Sequence, residues 1–149
     1  MKRLLGWLAA AFVPAAIGVA FPAPDYYARL RKPAWAPPPW LFGPVWTALY
    51  AMMGTAAWLA AERRGQGRNA ALGLWGAQLA LNAAWTPIFF GARARGAALV
   101  EILAMWVAIG ATTAAFFTRR TAAGVLMLPY LAWVTFATAL TYEVWRRNR

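Results

Sequence analysis

The chain has 149 residues and a net charge of +11, yet 62% of its residues are hydrophobic and only 13% are charged. A soluble domain carries roughly 25% charged and about 45–50% apolar residues, so the composition indicates a single-domain membrane protein over residues 1–149. The scattered basic clusters argue against nucleic-acid binding, and the lack of cysteine and histidine excludes disulfides, thiolate chemistry and the usual metal ligands.

Charge-poor runs divide the chain into segments of about 20 residues, the length that crosses a bilayer as a helix. They predict an all-α integral membrane protein, a bundle of five transmembrane helices at about 4–21, 43–61, 69–90, 96–118 and 122–145. Helix 2 is expected to start near Gly43 and Pro44, because proline is tolerated in a first turn. Short basic turns join all the helices except the first two.

The long connection between helices 1 and 2, at 22–42, is rich in proline and tryptophan and carries Arg29, Arg31 and Lys32. Long loops in compact domains are usually functional, and proline restricts their conformations. We expect a basic lid over a ligand site, on the same side as the C-terminus. Basic residues are nearly equal in number on the two sides, so the positive-inside rule gives no orientation.

A stripe of small residues at Gly76, Ala80 and Ala84 recurs every four positions in the third helix. Small residues at this spacing let two helix backbones approach closely in lipid. The stripe predicts either the seam of a homodimer or packing within one chain.

The opposite side of the third helix carries Gln78, Asn82 and Trp85. Amides are costly inside a membrane unless they are paired or face a cavity. Cavity lining and a purely interhelical hydrogen bond both fit this pattern.

Aromatic residues lie at helical spacing in two further helices, as Trp46 and Tyr50 in the second and as Tyr130 and Trp133, followed by Ala137, in the fifth. Converging aromatic stripes fit a flat aromatic ligand held by stacking. An ordinary aromatic core is the alternative.

Glu101 is the acidic residue within the fourth predicted helix, and an intramembrane acid is a functional candidate by default. Since Arg93 and Arg95 lie just before this helix, we expect Glu101 to form an interfacial salt bridge with one of them.

Three blocks carry a resemblance to a known family: LRKPAWAPPPWLFGPVWTALY at 30–50, NAAWTPIFF at 82–90 and PYLAWVTFATAL at 129–140. In these blocks, and in their order and spacing, the chain resembles the translocator protein family. Its members are also called tryptophan-rich sensory proteins (TspO/MBR) or peripheral-type benzodiazepine receptors.

The resemblance implies a five-helix bundle, usually a homodimer, in a membrane that we expect to be the bacterial cell membrane. It also implies a pocket beneath the first loop for porphyrins, such as protoporphyrin IX, and other flat aromatic or sterol-like ligands. No cofactor is required, because porphyrin is the ligand. The blocks and helical stripes together predict the ligand-binding residues Tyr26, Tyr27, Trp35, Trp46, Tyr50, Asn82, Trp85, Trp133 and Ala137.

The family's sterol motif is matched at Leu140, Tyr142 and Arg146, a pattern that is weak on its own. For the activity, the resemblance favours a receptor or sensor that regulates or transports tetrapyrroles. A light-dependent, metal-free degradation of porphyrin and passive transport of porphyrin or sterol are the alternatives. We predict no catalytic residue.

Overall fold

The computed structural model describes residues 1–22 and 24–149, and within these residues every regular element is a helix. This confirms the all-α prediction. The elements are α1 Lys2–Ala11, α2 Val13–Val19, α3 Pro24–Arg29, α4 Pro39–Glu62, α5 Arg68–Thr86, a π-helical turn Pro87–Gly91, α6 Arg95–Arg119 and α7 Thr121–Arg147.

Three helical stretches of the described chain are long and apolar enough to cross a membrane. The first is Lys2–Val19, which consists of α1 and α2 together, and the other two are α6 and α7. The helices α4 and α5 are of similar length, but α4 contains two prolines and three tryptophans, and α5 contains three amide residues and two tryptophans. These residue types lower the hydropathy of α4 and α5 below that of the other long helices.

The first predicted helix is divided in two at Phe12. Pro14 lies in the first turn of α2 and has no N–H to bond the Ala10 carbonyl one turn earlier. The Phe12 N–H donates to the carbonyls of Leu8 and Ala10 instead. Proline therefore converts one predicted helix into two consecutive ones.

The second predicted helix begins four residues earlier than expected, at Pro39, and Pro44 lies inside it. The first helical position needs no N–H donor, so Pro39 fits it well. The short helix α3 also occupies part of the predicted loop. The irregular part of the lid is thus 30–38, much shorter than the sequence suggested.

The third predicted helix changes form near its end, where α5 stops at Thr86 and a π-helical turn follows. The Ala92 N–H donates to the Pro87 carbonyl at 2.8 Å, a five-residue spacing. Such turns are rare and are frequently found at functional sites.

The helices pack as a bundle in which α6 lies along both α5 and α7, α4 contacts α1 and α7, and α2 contacts α5. Gly54 allows α4 to approach α1, because a Cβ at this position would lie 3.0 Å from Leu8. Gly76 and Ala80 on α5 are exposed and Ala84 is half-buried. The small-residue stripe therefore faces mostly away from the bundle, and the homodimer stays a prediction.

Candidate functional site

A cavity of about 570 Å³ lies between α2, α4, α5 and α7, with part of α6 at its base. Residues of the segment after α2, of α3 and of the start of α4 also line it. Aromatic side chains form much of its wall: Phe21, Tyr27, Phe42, Trp46, Tyr50, Trp85, Phe89, Phe90 and Trp133.

All the predicted ligand-binding residues except Tyr26 and Trp35 line this cavity: Tyr27, Trp46, Tyr50, Asn82, Trp85, Trp133 and Ala137. Tyr27 comes from α3, in the predicted loop, and the others come from α4, α5 and α7, the three helices on which the sequence predicted stripes. The aromatic stripes therefore surround a space, which an ordinary filled aromatic core would not leave.

Tyr26 is buried outside the cavity and holds α3 to the neighbouring helices. Its ring packs on Phe89 and Phe90 with centroids 5.9 and 6.2 Å apart. Its hydroxyl accepts a 3.2 Å hydrogen bond from Arg95 Nη1, and the Arg93 guanidinium lies 4.8 Å from the ring centroid. Consecutive residues on a short helix point in different directions, so only Tyr27 reaches the cavity.

Trp35 also lies outside the cavity, in the irregular part of the lid. It is 48% exposed, and its ring packs edge-on against Phe136 at 5.5 Å. In this position Trp35 packs the lid against α7 and does not line the cavity.

A buried polar network crosses the bundle beside the cavity. The Tyr50 hydroxyl donates to Asn82 Oδ1 at 3.0 Å, and Asn82 Nδ2 donates to the Tyr130 hydroxyl at 2.7 Å. The Tyr130 hydroxyl in turn donates to Gln78 Oε1 at 2.7 Å. The network joins α4, α5 and α7 through side chains alone.

This network resolves the two readings of the amides on α5. Asn82 lines the cavity and also bonds two other helices, whereas Gln78 is fully buried and does not line the cavity. Sequence reasoning missed the position of Tyr130, which is fully buried at the centre of the network. Its place in the aromatic stripe of α7 was the available signal, but helical spacing does not tell a stacking ring from a hydrogen-bonded hydroxyl.

Three polar groups on cavity-lining side chains are buried and find no acceptor within the described part of the chain: Tyr27 Oη, Trp85 Nε1 and Trp133 Nε1. Burial raises the pKa of the Tyr27 phenol above its ordinary value. The phenol therefore keeps its proton at neutral pH. These groups can each donate a hydrogen bond to a ligand that brings acceptors.

The lid is fastened to the C-terminus by Asn148. Its Oδ1 accepts from the Arg31 backbone N–H at 2.9 Å, and its Nδ2 donates to the Arg31 carbonyl at 2.8 Å. This pairing places the lid and the C-terminus together, as the sequence predicted. Lys32 Nζ donates to the Tyr27 and Leu30 carbonyls, so it stabilises the turn after α3.

The salt bridge expected for Glu101 is absent from the ion pairs of the described residues, so that prediction was wrong. Arg95 is engaged by Tyr26 and by the Asn148 carbonyl, and Arg93 lies over the Tyr26 ring. Both carboxylate oxygens of Glu101 are buried without a donor from the described chain.

The three residues of the sterol motif do not form one surface. Leu140 is buried and lines the cavity, whereas Tyr142 is 46% exposed. Arg146 is paired with Glu143 at 2.8 Å. Residues two apart on a helix point to nearly opposite sides, so Leu140 and Tyr142 cannot meet one ligand together.

Comparison with known proteins gives a consistent result. The sequence model of the TspO/MBR family matches residues 4–146. The chain is 44% identical over 144 residues to the tryptophan-rich sensory protein of Cereibacter sphaeroides, covering 97% of this chain and 90% of that protein. It is 49% identical over 126 residues to the human translocator protein, covering 83% and 75%, and 37% identical over 135 residues to protein CrtK of Rhodobacter capsulatus, covering 89% and 84%. The chain therefore belongs to the TspO/MBR family of membrane proteins.

Proposed function

We propose that this chain is a membrane receptor that binds porphyrins of the protoporphyrin IX type in the cavity between α2, α4, α5 and α7. The observation that carries the proposal is the cavity of about 570 Å³ walled by aromatic rings. Its volume lies within the roughly 300–1,000 Å³ typical of pockets for small molecules. Family membership supports a role as a sensor or transporter in the membrane.

The chemistry of the wall fits a flat aromatic ring that carries carboxylates. Trp46 on α4 and Trp133 on α7 offer faces and edges for offset or edge-on packing, which favours ring centroids about 4.5–7 Å apart. The unpaired donors of Tyr27, Trp85 and Trp133 suit carboxylate oxygens. Hydrogen bonds to an ionised acceptor are roughly twice as strong as neutral ones.

The proposed function places all five long helical units across the bilayer. At 1.5 Å per residue, α4 with its 24 residues is about 36 Å long, and a hydrocarbon core is about 30 Å thick. Since α4 packs between α1 and α7, and α5 packs between α2 and α6, both lie alongside helices that qualify as spans. Their lower hydropathy follows from the polar and aromatic side chains that they contribute to the cavity.

We also propose that the stripe of Gly76, Ala80 and Ala84, of which Gly76 and Ala80 are exposed, forms the seam of a homodimer. In lipid, small residues four apart allow close helix packing. A Cβ added at Gly76 would meet no atom of the described chain within 4 Å, so this space is open to a second copy.

A pair of matched substitutions on α7 tests the binding site. Ala137 lines the cavity, whereas Ala139 is exposed on the same helix. Ala137→Phe should weaken protoporphyrin IX binding at least tenfold, because the added ring occupies the ligand's space, while Ala139→Phe should leave affinity unchanged. Quenching of tryptophan fluorescence in detergent measures both dissociation constants. Equal affinities for the two variants would place the porphyrin elsewhere.

A further inference from the structure

A buried arginine lies at the end of the bundle opposite the cavity. Arg119 is the last residue of α6 and is only 5% exposed. Its Nη1 donates to the Gln66 carbonyl at 2.7 Å, in the turn between α4 and α5. Its Nε and Nη2 are buried and have no acceptor among residues 1–22 and 24–149.

The charge of Arg119 is also uncompensated within the described chain. A guanidinium stays protonated in proteins, and a buried charge is costly unless it is paired and hydrogen-bonded. The ion pairs of the described residues join Arg3 to Glu62 and both Arg146 and Arg147 to Glu143. Arg119 takes part in none of them.

The free edge of the guanidinium has a defined geometry. Nε–H and Nη2–H point in parallel, and this fork matches two oxygens of a phosphate or carboxylate. The opposite nitrogen, Nη1, is held by the Gln66 carbonyl. The turn therefore orients the fork before any ligand arrives.

The guanidinium also lies against the N-terminus of α5. A Cβ on Gly67, the N-cap of α5, would be 3.8 Å from Arg119 Nη1. The N-cap of α5 makes no side-chain hydrogen bond, and its first turn carries no acidic residue. Helix N-termini carry a partial positive charge that favours anions.

Two neighbouring arginines, Arg63 and Arg68, donate to backbone carbonyls. Arg63 Nη1 donates to the Arg119 carbonyl at 2.8 Å, and Arg68 Nε donates to the Ala61 carbonyl at 2.9 Å. Both stabilise the C-terminal ends of helices, where cations are favourable. They add positive charge around the site, and the nearby acid Glu62 is paired with Arg3.

We propose that Arg119 and the N-terminus of α5 form a binding site for a phosphate-class oxyanion. A phospholipid headgroup and free phosphate share this chemistry. Because Nε and Nη2 are buried, the anion enters when the exposed turn at 63–67 shifts. The turn contains Gly65 and Gly67, both at positive φ, where a residue without Cβ is favoured.

The test uses the whole protein in nanodiscs of phosphatidylcholine, with and without 10 mol% phosphatidylglycerol, and separately with inorganic phosphate. The apparent melting temperature of the wild type should rise with phosphatidylglycerol if a headgroup is the source, or with phosphate alone if the free anion is. If neither raises it, the proposal is overturned and water alone solvates the fork.

Two matched variants assign the effect to Arg119. Arg119→Gln should reduce at least tenfold the retention, in native mass spectrometry, of whichever source stabilises the wild type, phosphatidylglycerol or phosphate, whereas Arg120→Gln, which removes an exposed charge next to it, should not. Equal retention by the two variants overturns the proposal. If Arg119→Gln does not fold, Arg119→Lys replaces it, because lysine keeps the charge but lacks the two parallel N–H groups. Unchanged retention by Arg119→Lys would also overturn the proposal.

Discussion

Removing the Tyr130 hydroxyl tests the buried network with a change of one oxygen atom. Tyr130→Phe keeps the ring in place but breaks the bonds to Asn82 and Gln78. It leaves Asn82 Nδ2 and Gln78 Oε1 buried and unpaired, and Gln78 Nε2 already has no acceptor in the described chain.

The magnitude follows from these lost partners. An unsatisfied buried polar group costs about 1–3 kcal/mol, while side-chain hydrogen bonds between membrane helices average about 0.6 kcal/mol. With two bonds lost, we expect Tyr130→Phe to lower the free energy of unfolding by about 1–3 kcal/mol. The rotamer of the ring and the packing of α7 should not change.

The assay is equilibrium unfolding by sodium dodecyl sulfate in mixed micelles, followed by circular dichroism. Tyr142→Phe is the control, because Tyr142 is on the same helix and 46% exposed. A surface substitution of this kind should change stability by no more than about 0.5 kcal/mol. If the two variants are equally stable, the network does not hold the helices together.

A double-mutant cycle gives the sharper result. Tyr130→Phe and Asn82→Ala remove the two ends of one hydrogen bond, so their effects should not add. Residues in contact show coupling of about 0.5–3 kcal/mol, whereas independent sites add within about 0.3–0.5 kcal/mol. Additive effects would refute the bond between Asn82 and Tyr130.

Three further predictions follow from other contacts. Gly124→Ala should destabilise the protein by about 1–3 kcal/mol, because its methyl group would overlap the Phe117 ring. Gly110→Ala, which meets open space, should be neutral or stabilising in the same unfolding assay, and equal losses would contradict this packing. Asn148→Ala, which frees the lid from the C-terminus, should increase the porphyrin dissociation rate in stopped-flow quenching by more than it changes the free energy of unfolding; an unchanged rate would mean that the lid does not control release. At saturating protein, illuminated porphyrin should bleach equally fast with the wild type and with Trp46→Phe, and slower bleaching with the variant would favour degradation as the activity.

Much of the helical architecture was predictable because charge and hydropathy report which segments enter the membrane. The basic turns at 63–67 and 92–94 lie between helices as expected. The division at Phe12, the start at Pro39 and the π-helical turn were not predicted. The division at Phe12 and the π-helical turn depend on how the backbone compensates for a proline without an N–H. The start at Pro39 depends on which proline of the loop takes the first helical position, and composition does not encode either choice.

The candidate site was partly predictable for a similar reason. Helical spacing placed Trp46, Asn82 and Trp133 toward the interior, and the structure brings them to one cavity. Spacing did not show that Tyr27 faces the cavity and Tyr26 does not. The two side chains point in different directions because they lie on α3, which was predicted as loop. Helical spacing also did not show that Tyr130 contributes a hydrogen-bonded hydroxyl and not a ring that stacks on a ligand. That distinction depends on which helices are neighbours.

The most direct test of the central claim is a crystal structure of the protein with zinc protoporphyrin IX, using anomalous scattering from zinc to locate the ring. The proposed function predicts a single anomalous peak inside the cavity, between Trp46 and Trp133. A peak on the outer surface of the bundle, with the cavity occupied by lipid or solvent, would contradict it.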